Sequence, residues 1–195
     1  MSSTGACTAV AADRSHQVDG LPLADSVDAA LLNRRVLMVH GELDHARSSE
    51  LAAALMTLDA LGDEHIELKL SAADATFEAA LVLVDVIDVL GVPVRTFGMG
   101  VVAGGAVGVL AAGSRRGLSR HARLRLREPD VAVCGRATDI ERTLAEHAAR
   151  ADSFYRHLSR CAGRSREEIE SEWSAGSFLG AEDAVTLGYA DEVMS

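Results

Sequence analysis

The chain has 195 residues, 48% apolar and 25% charged, enough for one well-packed soluble domain. Its net charge of −10 sets it against nucleic acid and anionic membrane surfaces, and no apolar run approaches the length of a membrane span. Cys7, Cys134 and Cys161 are odd in number and widely spaced, with no Cys-x-x-Cys pair, which argues against a zinc site or a disulfide framework and for a reducing compartment.

Residues 1–24 are small and polar without a period and read as a flexible arm. No charged segment followed by an apolar one opens the chain, so the expected location is cytoplasmic. A domain is expected over 25–195, opening with a capped turn at Asp25-Ser26-Val27-Asp28. The apolar run 35–41 predicts a buried strand. Apolar residues at 51, 55, 58 and 61 predict a helix over 48–61, ended by Gly62. Residues 65–70 alternate strictly and predict a strand with one buried face. A helix over 76–90 and a strand over 92–99 follow. Residues 104–112 read as a buried helix of small residues, and 122–126 as a fourth alternating strand. Residues 114–120 are polar and basic and read as an exposed loop. A long helix is expected over 138–161, with Ile140, Leu144, Ala148, Ala151, Tyr155 and Leu158 along one side. Short helices over 166–173 and 181–187 close the chain. Strands alternating with helices predict an α/β fold with a mostly parallel sheet.

The stretch Gly100-Val101-Val102-Ala103-Gly104-Gly105-Ala106, closing in Leu110-Ala111-Ala112-Gly113, resembles the strand-to-helix turn of the ClpP-type (caseinolytic) serine peptidases. Their pattern is Gly-x-Ala-x-Ser-x-Gly followed by an apolar helix. Other blocks follow in order. His40-Gly41-Glu42-Leu43-Asp44 resembles the family's Gly-Glu-(Ile/Val)-Asp turn. Residues 71–100 resemble the Asn-Ser-Pro-Gly-Gly stretch, with Asp85 on the family's Tyr-Asp aspartate. Residues 135–140 resemble the opening of the handle helix, within a handle region of about 131–161. Residues 178–184 and 187–193 resemble the closing blocks. The resemblance implies the ClpP/crotonase-like fold of repeated ββα units in a spiral, with a long handle helix.

A serine peptidase needs a nucleophile, a histidine base and an acid that orients it. The resemblance puts these three roles on Gly104, Arg127 and Gly176. Glycine has no side chain, and arginine cannot act as a base near neutral pH. The oxyanion glycines fall on Asp74 and Ala75. The N–H groups of Ala75 and Gly105 are expected to remain available to a substrate oxygen, with the Asp74 carboxylate opposing negative charge beside them. The aromatic positions of the ATPase-docking pocket fall on Glu67 and Lys69, so docking of an AAA+ ATPase is expected to be weak or absent. The arginine that bridges stacked rings falls on Ala175. These vacancies give the expectation of a degenerate family member that is not an enzyme. It would act through a homo-oligomeric, heptameric ring or as a regulatory partner of active ClpP-type subunits. No cofactor or metal is implied, and neither nucleic acid nor membrane is an expected partner.

Alternatives remain. A crotonase-like acyl-CoA enzyme would use Gly105 and Ala75 as donors and Asp74 or Glu128 as acid/base. A serine-type ATP-dependent peptidase component with non-standard catalytic residues is another. Ser119 and His121 lie near the altered base but read as loop residues. Cys134 reads as a buried inert thiol, and His40 and His45 as solvated turn residues rather than ligands. Arg115, Arg116, Arg120, Arg123, Arg125 and Arg127 form the one basic concentration in an acidic chain. Their default reading is ion pairing across a subunit interface with the acidic segments 139–146 and 167–172, and anion binding is the other.

Overall fold

The computed structural model describes residues 23–130 and 133–194, so the arm expected at 1–24 lies almost wholly outside the described residues. Helix α1 (Leu23–Leu32) leads into strand β1 (Val36–Leu43). Helix α2 (His45–Leu61) opens about a turn before the hydrophobic period begins, because the Asp44 carboxylate accepts the Arg47 N–H at 2.8 Å and caps it. Strand β2 (Ile66–Ala75) continues five residues past the alternating stretch. Its extension pairs with the end of β1 across a register shift at Gly41/Glu42, out to Leu43 opposite Ala75. Thr76 then caps α3 (Phe77–Val89) by accepting the Ala79 N–H.

Strand β3 (Val94–Gly98), strand β4 (Val101–Ala103), helix α4 (Ala106–Ala111), strand β5 (Arg115–Ser119) and strand β6 (Arg123–Arg125) come next. Helix α5 (Ala137–Ala162), helix α6 (Arg166–Ser174), strand β7 (Phe178–Gly180), helix α7 (Ala181–Thr186) and strand β8 (Glu192–Met194) complete the described chain. Among the described residues, β1-β2-β3-β5-β8 form a parallel five-stranded sheet. Strands β4-β6-β7 form a second sheet, with β6 parallel to β4 and antiparallel to β7. The fold is thus the α/β, ClpP-like class expected. Strands β4, β5, β7 and β8 were not expected from the sequence. Each is five residues or shorter, too brief for a period to declare itself. The expected exposed loop at 114–120 is instead an inner strand with Gly117 and Leu118 buried.

The core joins the inward positions of β1 and β2 (Leu37, Val39, Ile66, Leu68, Leu70) to Leu51, Leu55 and Leu58 of α2 and Leu83 of α3. Few aromatics are present, and four of them, Phe77, Phe154, Tyr155 and Trp173, gather where α3, α5 and α6 meet. The rings of Phe77 and Phe154 stack at 4.3 Å, and Trp173 meets Phe154 edge-on at 5.0 Å. Gly108 of α4 lies against the Phe154 ring, and a Cβ there would sit 2.3 Å from it. Only the C-terminal half of α5 is buried in this way, through Phe154, Tyr155, His157 and Leu158. In the other half Leu144 is 49% exposed and Ala148 is exposed, so the expected apolar stripe runs on past the core that would cover it. Among the described residues no helix is long and apolar enough to cross a membrane.

Candidate active-site region

The carboxyl ends of β2, β4 and β6 converge on the turn between β4 and α4. Gly104 holds φ +55°, the left-handed conformation that glycine adopts without a Cβ penalty. Its N–H donates to the Arg125 carbonyl at 3.1 Å, which ties the turn to β6. A Cβ added at Gly104 would lie 2.8 Å from the Ala75 carbonyl oxygen and 3.2 Å from Asp74 Oδ1. The expected nucleophile position therefore has a strand–turn–helix geometry but is buried, with β2 closed down on the space a side chain would use.

The Ala75 backbone and the Asp74 carboxylate occupy that space, and Asp74 is in turn ion-paired. Arg127 Nη2 donates to Asp74 Oδ2 at 2.7 Å, and Arg127 Nη1 to Asp130 Oδ2 at 3.3 Å. Asp74, expected as a charge opposing an oxyanion, is thus matched by the guanidinium at the expected base position. The hydrogen bond to Asp74, and then its charge, hold the Arg127 pKa above the ordinary arginine value. The expected oxyanion donors are not free. The Ala75 N–H donates to Asp74 Oδ1 at 2.9 Å, and the Gly105 N–H to the Ala75 carbonyl at 2.9 Å. Opposite charges at two altered positions of the same expected site were the sequence signal for this contact, and residue-by-residue reading missed it.

Gly176 lies at φ +69° in the turn after α6, and Ala175 caps that helix. A Cβ at Gly176 would meet nothing within 4 Å. Glu128 is engaged by the Tyr155 hydroxyl of α5, which donates to Oε1 at 2.5 Å. Burial, then the hydrogen bond to Glu128, push the Tyr155 pKa well above the ordinary phenol range. His157, which the sequence reading did not single out, sits behind α4 with Nε2 3.0 Å from the Gly108 carbonyl. Burial holds its pKa below the ordinary histidine value. Asp85 lines a hollow of about 320 Å³ beside it with Asp88, Arg156 and Arg160.

Glu67 and Lys69 lie on the outer face of the five-stranded sheet, in a hollow of about 300 Å³ that also holds Phe97 and Met194. Their charges approach each other at 3.6 Å. The basic stretch divides. Arg115 is paired with Glu192, and Arg116 with Asp191 as well as with the Cys161 and Gly188 carbonyls. These two are therefore taken up within the chain, as are parts of the acidic segments: Glu146 pairs with Arg150, Glu170 with Arg166, and Glu172 with Arg164. Cys134, expected to be buried, is exposed. His40, His45 and His121 are exposed, and Ser119 ends β5.

The Clp protease family profile matches residues 22–195, a span that includes all of the described structure. The chain belongs to the Clp protease family. It is similar to the ATP-dependent Clp protease proteolytic subunit 2 of Rhodococcus jostii, 26% identical over 179 residues, covering 90% of this chain and 92% of that protein. Proteolytic subunit 2 of Chlamydia trachomatis is 28% identical over 177 residues, covering 88% and 86%. Proteolytic subunit 1 of Mycobacterium bovis is 25% identical over 186 residues, covering 94% and 93%. These names overturn the expectation that the chain is not an enzyme. Its Clp relatives are proteolytic subunits, and the vacancies at Gly104, Arg127 and Gly176 have to be understood inside a peptidase family.

Proposed function

We propose that this chain is a proteolytic-type subunit of an ATP-dependent Clp peptidase assembly, joined in one ring with subunits that keep the family's serine. The Asp74–Arg127 pair against Gly104 carries the reading. A site whose backbone donors are engaged, and whose base position is a paired guanidinium, offers no serine hydroxyl for activation at position 104. In such an assembly neighbouring subunits keep the family's serine, and this chain supplies ring wall and peptide-contacting surface. The overhanging half of α5, with Leu144 exposed, supports an assembly role, since an apolar stripe that outruns its own core fits a partner's face. The ring is heptameric in this reading. With Ala175 where the family has a bridging arginine, its stacking rests on α5. Glu67 and Lys69 weaken docking of an AAA+ ATPase on this subunit.

The crotonase-like alternative loses support, because Ala75, Gly105, Asp74 and Glu128 all have partners within the chain. Co-expression with a serine-bearing Clp proteolytic subunit, followed by tag capture and native mass spectrometry, tests the proposal. Mixed rings are expected. Two separate homomeric populations at every ratio would contradict it.

A further inference from the structure

Strand β6 and the two residues after it carry a row of arginines on one side. Burial alternates from Ala122 to Arg127: Ala122, Leu124 and Leu126 face the core, while Arg123, Arg125 and Arg127 face outward. Arg127 is matched by Asp74. The Arg125 guanidinium lies over the exposed Phe178 ring of β7, 5.4 Å from its centroid. Arg123 stands opposite Gly180 of β7 and Val101 of β4. Its Nη1 lies 3.9 Å, and Asp183 Oδ2 3.4 Å, from where a Gly180 Cβ would be, so it too leans over β7, on the side of that carboxylate. Among the described residues neither Arg123 nor Arg120 has a carboxylate within ion-pair distance, unlike Arg115 and Arg116. Beyond Arg123 lies a hollow of about 490 Å³ lined by Arg120, His121, Arg123, Gly180, Glu182 and Asp183. Val101 and Phe178 add exposed apolar surface to the same face, at 41% and 61% exposure.

We propose that this face of the β4-β6-β7 sheet binds an extended peptide segment bearing carboxylates at alternate positions, with apolar side chains flanking them. The proposal rests on the proteolytic-subunit reading and names the class of peptide that the subunit's surface selects. The match is geometric. Alternate residues of an extended peptide recur at roughly 6.5–7 Å, which is also the spacing of alternate arginines along β6. It is also electrostatic. The chain carries −10 overall, so a face where Arg120, Arg123 and Arg125 outnumber the neighbouring Glu182 and Asp183 is where such a segment settles. Phe178 and Val101 provide the apolar contact that a purely ionic patch lacks.

The test is fluorescence anisotropy with the full chain and three labelled peptides that alternate Val with Glu, Gln or Lys. Binding of the Glu peptide is expected to exceed that of the Gln peptide by about tenfold, the worth of two or three exposed ion pairs, and to fall as salt is raised. R123Q/R125Q should remove the preference, and R115Q, on a paired arginine of the other sheet, should keep it. Near-UV circular dichroism from buried Trp173 checks that each variant is folded. Equal binding of the Glu and Gln peptides overturns the proposal, as does a preference that survives R123Q/R125Q. So does a change in oligomeric state in R123Q/R125Q with no effect on peptide binding, because that outcome assigns the face to a second copy of the chain. Mixed-ring formation is read separately, so either reading can fail without the other.

Discussion

The segment from Arg123 to Arg127, strand β6 and the two residues after it, carries the same residue at both ends and uses it oppositely. At the Arg127 end the space is closed: the guanidinium is held by Asp74, the neighbouring N–H groups have acceptors, and β2 fills the room beside Gly104. At the Arg123 end the guanidinium has no carboxylate partner among the described residues and faces a hollow. A run of alternating arginines is therefore not one feature. What each does is decided by the strand that lies across from it, β2 at one end and β7 at the other.

The largest test of the closed end is G104S. A side chain there must adopt a positive φ and press on the Ala75 carbonyl, so we expect a loss of about 2–4 kcal/mol in urea unfolding. Restoring the hydroxyl alone should also fail to produce labelling by a serine-reactive probe, since Arg127 still occupies the base position. D74G/G104S/R127H/G176D, which clears the carboxylate and returns the family's residues to all three roles, is the variant expected to gain labelling.

Behind the closed end, Y155F removes the hydrogen bond to Glu128 and should cost about 1 kcal/mol. His157 gives a pH signature. Its folded pKa lies below the ordinary value, chiefly through burial, with Arg160 adding to the effect and the Gly108 carbonyl, Asp85 and Asp88 opposing it. The unfolded chain then binds the proton at higher pH than the folded chain. Stability should fall as pH drops through about 6.5, and the loss should level off below the folded pKa. Urea midpoints from about pH 7.5 to pH 5 should show this step, and H157Q should flatten it. A double-mutant cycle of D74N and R127Q should show coupling of about 0.5–1 kcal/mol, the scale of a partly exposed pair. The open end should respond least. R123Q is expected to change stability by less than about 0.5 kcal/mol, and a larger loss would mean that the residue is engaged after all.

Much of the scaffold is legible in the sequence, because long elements state their period. The spacing of Leu51, Leu55 and Leu58 finds α2, and the alternation of Ile66, Leu68 and Leu70 finds the first half of β2. Beyond Leu70 the strand's register is set by pairing with β1, which no local pattern encodes. Strand β5 reads as a loop because it opens on two arginines, and their partners Glu192 and Asp191 lie more than 70 residues away. The candidate site is legible as positions and not as contacts. Gly104, Arg127 and Gly176 stand out one by one, whereas the closure of Arg127 on Asp74 depends on β2 reaching Ala75. The exposed stripe of α5 is half legible: Ile140, Leu144 and Ala148 predict an apolar face, and only the structure tells that the core stops before reaching them.

The central claim is that this chain joins a Clp peptidase assembly without bringing a serine nucleophile at Gly104. Native mass spectrometry of a mixture with a serine-bearing Clp proteolytic subunit, treated with a serine-reactive phosphonate probe, tests it most directly. The account predicts mixed rings in which every probe adduct is on the partner subunit. An adduct on this chain, or the absence of mixed rings at every ratio, would contradict it.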